Sequence, residues 1–300
     1  MCALAWAACS AAPLIESDES GTPNSSRQRF GDDELVVDEV FQSHLPGTLA
    51  KYGFRLSVNP HLGDWVNKDH MRLTTTLRYG LTENCEISLG SNLFFSHGNG
   101  DISAFKDNGA ANLKPGIKFN LGQLLFAGWE TGIGVSDEFP TGHPAPELTD
   151  GLRHFRPYLT LSHRLASHPD LRIFVGFRVD DVSRTGLPGE FGKNAFQEDS
   201  SGFTGGFVID RQNWHYTLEA SWDTTRWFGQ HDQDIFSLRP GVLWEIPTRR
   251  DRLVRSNWMV GLALNDTYGP GGNSIGASFK LRYSRDLKRP IHREPVVPAT

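Results

Sequence analysis

No long hydrophobic run occurs in this sequence. Its 300 residues have a mean hydropathy of -0.39, and no apolar stretch approaches the roughly 20 residues a membrane helix needs, which excludes a helical membrane protein. A membrane β-barrel stays open, because only every second residue of a barrel strand must be apolar. Cysteine is scarce: Cys2, Cys9 and Cys85 show neither metal-ligand spacing nor an evident pair, so no disulfide framework is expected. A clustered basic face is also missing, and a net charge of -5 with a pI near 6.1 argues against a nucleic-acid partner. There is no glycine-rich phosphate loop and no GxSxG nucleophile motif. No cofactor, metal or enzymatic activity is expected.

What is present is a period of two from about Tyr52 onward. One parity is apolar, as in Leu73, Leu77 and Tyr79, then Ile87, Leu89 and Leu93, then Ile173, Val175 and Phe177, and finally Phe279, Leu281 and Tyr283. About twelve such runs, most about ten residues long, predict an all-β fold: a transmembrane antiparallel up-and-down β-barrel. The opposite parity carries Arg55, Arg72, Arg78, Glu86, Lys114, Lys118, Glu130, Arg156, Arg164, Arg172, Arg178, Asp180, Asp210, Glu219, Asp223, Arg239, Glu245, Lys280 and Arg282.

Connections alternate in length. Short ones are expected at Gly80–Glu83, around Gly122, at Ala166–Pro169 and at Arg211–Gln212, with a longer turn at Pro247–Val254. Long ones are expected at Pro60–Asp69, Ser96–Gly109, Ser136–Gly151, Asp181–Ser200, Arg226–Gln233 and Asn265–Ser274. Short turns at one end and long loops at the other is the plan of an outer-membrane barrel, with the short turns periplasmic. Two aromatic girdles are expected on the apolar parity: Tyr52, Tyr79, Trp214, Trp244, Trp258 and Tyr283 at the periplasmic end, Phe95, Phe155 and Trp222 at the external end. Trp129 falls nearer mid-strand and does not fit.

The organisation expected is a degenerate or truncated signal segment and periplasmic linker at 1–47, an outer-membrane barrel at 48–285 and a periplasmic tail at 286–300. The opening MCALAWAACSAAPL is short and apolar but lacks the Lys or Arg of a signal n-region, and Cys9 only faintly matches a lipidation site.

The stretches GFRLSVNP (53–60), TLRYGLTENCEISLG (76–90), GAANLKPGIKFNL (109–121) and WETGIGVSDEFPTG (129–142) resemble the outer-membrane transporter-like family associated with meta-pathway phenol degradation. The resemblance spans most of 48–285 and implies a barrel that passes small, often hydrophobic, organic molecules. Barrels of this kind usually end on an aromatic residue read by the assembly machinery; here Tyr283 is followed by Ser284-Arg285-Asp286-Leu287 and a Pro-rich tail.

The function expected is a passive channel or transporter for a small hydrophobic or anionic solute in the cell outer membrane. Its partners would be membrane lipid, the solute and the barrel-assembly machinery. Selectivity would lie with the lumen-lining Arg72, Arg78, Glu86, Lys114, Lys118, Glu130, Arg156, Arg172, Arg178, Glu219, Arg239, Glu245, Lys280 and Arg282. About twelve inward bases against about seven acids favour anions. The alternative is a structural or adhesive surface barrel whose own salt bridges seal the lumen. A lipid hydrolase is a minor alternative, resting on His163 beside Ser162. His61, His70, His97, His143, His154 and His231 gather externally without a metal-binding spacing.

Overall fold

Alternating sequence becomes a closed sheet in a computed structural model of the chain, which describes residues 37–60, 70–96, 109–110, 112–141, 151–183, 199–225, 234–246, 256–270 and 272–286. The strands are β1 (Gly53–Pro60), β2 (His70–Thr82), β3 (Cys85–Ser96), β4 (Gly109–Ala110), β5 (Asn112–Phe126), β6 (Trp129–Pro140) and β7 (Arg153–Leu165). They continue as β8 (His168–Ser183), β9 (Ser200–Arg211), β10 (Trp214–Thr225), β11 (Ile235–Ile246), β12 (Ser256–Gly269) and β13 (Gly272–Asp286). The two-residue β4 and β5 both pair with β3 and form one stave, so the barrel has twelve. Every pairing is antiparallel, and β1 meets β13 at Leu56↔Tyr283, which closes the ring. The described residues contain no helix.

The chain divides into two compact units, Met1–Val37 and Asp38–Thr300. Of the first, only Val37 is among the described residues.

The outward parity leaves large apolar side chains uncovered: Leu77, Ile87, Leu89, Val175, Tyr216, Leu262 and Leu264 are 39 to 60% exposed. A water-soluble monomer rarely shows contiguous apolar patches beyond a few hundred Å². A belt of this kind running round a closed sheet is what lipid-facing strands present. The inward parity holds the buried charges, including Arg55, Arg78, Glu86, Lys118, Glu219, Lys280 and Arg282.

Several sequence expectations need correction; β6 runs on to Pro140 and β8 to Ser183, past the expected loop starts at Ser136 and Asp181. Glu83 and Asn84, not Gly80–Glu83, make the β2–β3 turn, because the strands stay paired to Thr82↔Cys85 across an irregularity. The chain does not turn around Gly122: β5 bulges there and runs on to Phe126, so the turn falls at Ala127–Gly128, where Gly128 takes a φ of +78°. Trp129 therefore lies one residue beyond that turn, at the short-turn end. Lastly, Asn265–Ser274 is not a long loop, since β12 and β13 remain paired up to Gly269↔Gly272. The segments 61–69, 97–108, 142–150, 184–198, 226–233 and 247–255, which contain most of the other expected long connections, lie outside the described residues.

Candidate functional site

Residues 38–49 lie against the inner wall and are held from almost every side. A tight reversal, with Val40 N–H donating to the Ser43 carbonyl (3.1 Å) and Leu45 N–H to the Asp38 carbonyl (2.9 Å), turns three successive backbone N–H groups one way. Glu219 of β10 accepts all three: Phe41 at 2.9 Å, Gln42 at 3.1 Å and Ser43 at 3.4 Å. Successive N–H groups of a turn form an anion-binding nest, here filled by a carboxylate of the wall. Opposite, Leu49 N–H donates to Glu86 of β3 at 2.9 Å, while Lys118 and Lys280 donate to the carbonyls of Gly47 and Val40.

The acids of the segment meet the bases of the wall. Asp38 accepts from Arg55 and lies 3.2 Å from Arg78 and 3.6 Å from Arg282. Glu39 pairs with Lys280 at 2.9 Å and Arg78 at 3.2 Å, and Arg78 also binds Glu86. Burial opposes ionisation of Asp38, but Arg55, Arg78, Lys118 and Arg282 outweigh it and hold its carboxyl well below the usual carboxylate range. The Glu39 carboxyl is lowered in the same way: burial is overcome by Lys280 and Arg78.

Packing fixes the segment as firmly as charge. Phe41 occupies space that exists only because Gly241 and Gly261 lack side chains, since a Cβ on either would come within 3.0 Å of its ring. Val40 and Leu45 are fully buried. The inward parity nearby is not uniformly polar: Phe174, Val208, Leu243 and Met259 are all buried. His44 stacks on Tyr158 with ring centroids 5.0 Å apart. His44 is exposed to the cavity; enclosure in the barrel lowers its pKa below the ordinary value, with Lys118, Arg78 and Lys114 adding to the effect and Glu39 opposing it.

Beside the segment remains a cavity of about 270 Å³, bounded by the segment's Glu39, Phe41, Gln42 and His44 and by walls from β1, β2, β3, β5, β6 and β7. Lys114 and Lys118 face it, with Glu138 and Tyr158. Glu138 accepts from Asn112 and Arg156, and Arg156 also binds Asp180 at 2.7 Å, which His154 contacts at 2.9 Å.

The remaining expected lumen residues are spread along the wall. Arg178 pairs with Asp223 at 2.6 Å across Gly202 of β9. Arg239 lies 3.3 Å from Glu219 and donates to Gln42 and to Asn265. Arg172 is buried and Arg72 half-buried; Glu130 is exposed and Glu245 half-buried, both near the short turns. Sequence reasoning missed Asp38, Glu39 and Gln42 altogether, since they fall inside the stretch taken as linker. The acidic pair between apolar residues in VVDEVF (36–41) was the available signal.

Aromatic residues of the outward face cluster at both rims. Trp214 stacks on Trp244 (5.6 Å) and Trp258 packs on Tyr283 (4.8 Å) at the short-turn end, where Tyr52 is exposed and Tyr79 pairs with Phe54 and Ile87. Trp129 joins them by stacking on His163 at 5.2 Å. Towards the other end Trp222 belongs to a ladder with Phe203 (5.4 Å) and Phe236 (6.0 Å), and Phe177 extends it at 5.0 Å from Phe203. Phe95 is exposed and Phe155 half-buried nearby.

His163 Nδ1 lies 2.6 Å from the Gly128 carbonyl, whereas the adjacent Ser162 is buried on the opposite face, so the two do not form a nucleophile and base. Among the described residues no group of His, Cys, Asp and Glu could hold a metal ion.

No protein-family model and no curated protein matches the sequence. Among solved structures, an outer membrane channel from Pseudomonas putida F1 aligns with a TM-score of 0.52 and 14% identity, over 80% of this chain and 96% of that one. The NanC porin aligns with a TM-score of 0.49 and 11% identity, over 78% and 100%. At such identity the likeness concerns the fold: this chain is a twelve-stranded barrel of the outer-membrane type.

Proposed function

We propose that the protein is a passive outer-membrane channel for small solutes, with the short turns periplasmic and residues 38–49 setting the constriction. One observation carries this reading: the barrel wall turns its oily side outward and encloses a charge-lined lumen that retains a cavity of about 270 Å³. A barrel serving only as a scaffold has no need of such a space. The likeness to the P. putida channel supports the same direction, and the resemblance of residues 53–90 to the phenol-pathway family favours an organic solute. Transport rather than catalysis is the activity, with membrane lipid and the assembly machinery as its partners. The aromatic rims and the inward bases serve as headgroup anchors and selectivity wall.

The sealed-barrel reading has its own observation, since Asp38, Arg55, Arg78, Glu86 and Arg282 form a buried web joining the segment to the wall. Planar-bilayer recording separates the two. A channel gives discrete steps that enlarge when residues 38–49 are deleted; silence from both the intact and the deleted chain, each folded by heat-modifiable migration, refutes the channel.

A further inference from the structure

Around the cavity, every acid is already engaged. Glu86 accepts from Arg78 and from Leu49 N–H, Glu39 binds Arg78 and Lys280, and Glu138 binds Asn112 and Arg156. Two of the three cations are engaged as well: Arg78 lies among Asp38, Glu39 and Glu86, and Lys118 donates to the Gly47 carbonyl. Lys114 differs. Its nearest acid oxygen, on Glu138, is 3.9 Å away, beyond hydrogen-bond reach, and its side chain is 40% exposed towards the cavity. A cation whose counter-charge is shared between two other donors leaves a positive field in an enclosed space. The rest of the lining mixes Phe41, Val135 and the Tyr158 ring with Asn59, Thr74, Thr76, Ser88 and Asn92, which offer amide and hydroxyl groups. Asn59 Oδ1 is buried without a hydrogen-bond donor.

We propose that this cavity is a binding site for a small hydroxylated carboxylate, whose carboxylate rests on Lys114 Nζ and whose hydroxyls exchange hydrogen bonds with the amide and hydroxyl wall. The proposal deepens the channel reading and rests on it for its physiological meaning. A charged head on an ammonium whose acid lies beyond hydrogen-bond reach supplies the charge-assisted bond, and the hydroxyls match the amide and hydroxyl groups of the wall. The volume lies just below the roughly 300–1,000 Å³ of drug-sized pockets, which restricts the ligand to compact acids.

The test uses the full-length chain in detergent and equilibrium dialysis against radiolabelled gluconate. Saturable binding of one gluconate per chain is expected, with sorbitol, which has the hydroxyls but no carboxylate, at least about tenfold weaker as a competitor. Lys114→Met should weaken gluconate binding by about tenfold or more, and Lys114→Arg should retain it within a few-fold. Glu138→Gln, which removes the nearest competing acid, should tighten it, an effect no merely structural role of Lys114 produces. Heat-modifiable migration checks each variant for folding, and Lys114→Gln replaces Lys114→Met if the latter fails. Equal binding by the intact chain and the neutral variant, equal competition by sorbitol, or absence of saturable binding overturns the proposal. Because dialysis does not depend on conductance, a barrel that binds gluconate but stays silent in bilayers refutes the channel and leaves the site. One that conducts but does not bind refutes the site alone.

Discussion

Replacing Glu219 with Gln alters almost no volume, yet it removes the negative charge that three successive backbone N–H groups share. These donors, on Phe41, Gln42 and Ser43, stand 2.9, 3.1 and 3.4 Å from the carboxylate, which is 2% exposed. A hydrogen bond to a charged group contributes roughly 1.5–3 kcal/mol and a neutral one roughly 0.5–1.5, so each donor loses about 1 kcal/mol. The amide also has only one oxygen to offer in place of two. The docked state of residues 38–49 should therefore weaken by about 3 kcal/mol, a factor of roughly 150 in its equilibrium. Arg239 keeps the Gln42 and Asn265 side chains as acceptors but loses its carboxylate partner. In planar bilayers the fraction of time spent in the larger conductance state should rise by about two orders of magnitude. An unchanged fraction, in a variant whose heat-modifiable migration matches the parent, would refute the idea that the nest holds the segment in place.

Further outcomes are expected from other parts of the molecule. Gly261→Val should displace the Phe41 ring, 3.0 Å from the position of the new Cβ, and raise proteolytic cleavage within residues 38–49 in detergent-solubilised barrels; protection equal to the parent would contradict the packing described. The lowered carboxyls of Asp38 and Glu39 contribute stability that is present above the ordinary carboxylate range and is lost only as pH falls through their depressed folded values, so they keep the segment docked in mild acid. The lowered His44 acts the other way: docking disfavours its imidazolium, so the segment loosens as pH falls below the ordinary histidine range. Because the His44 ring is exposed to the cavity, the effect is modest: conductance should rise slightly from pH 7 towards pH 5, and His44→Gln should reduce that rise; a variant that keeps the full response refutes the assignment. Leu89→Arg, on the outward face between Leu77 and Pro115, should destabilise the barrel in phospholipid vesicles by about 2–4 kcal/mol in urea unfolding, while an unaltered midpoint would mean that Leu89 does not meet lipid.

The barrel itself was legible because its physics is local. Alternation fixes which side chains share a face, and the inward bases from Arg55 to Arg282 fall on the lumen side because a strand leaves them no other. Turn positions were less legible. Gly122 carries a turn residue's signature, yet the chain only bulges there, since Leu124, Leu125 and Phe126 extend the strand to a turn at Gly128. That shift of a few residues is what made Trp129 seem misplaced. The parity rule also has exceptions that local sequence cannot flag. Phe174, Val208 and Leu243 are apolar and face inward, in a lumen where Phe41, Val40 and Leu45 are buried as well. In isolation each looks like an error in the alternation.

Least legible was the charge that governs the pore. A count along the strands finds an excess of about five inward bases and infers an anion-selective wall. A count alone does not give the field, because charge in a lumen acts through position, and a segment outside the strand pattern can occupy the same space. Asp38 and Glu39 enter that space and engage Arg55, Arg78, Arg282 and Lys280, so these four contribute cohesion rather than an accessible field. Arg156 and Arg178 are likewise paired, with Glu138 and Asp180 and with Asp223. Converting Arg178 and Arg239 to acids would therefore break ion pairs and loosen residues 38–49 before it altered any wall potential. Whatever preference for anions the lumen retains has to come from cations whose partners lie beyond hydrogen-bond reach, and Lys114, 3.9 Å from an acid already bound by two other donors, meets that condition. A shift of reversal potential on neutralising Lys114, larger than the shift on neutralising Arg178, is the result this reasoning requires.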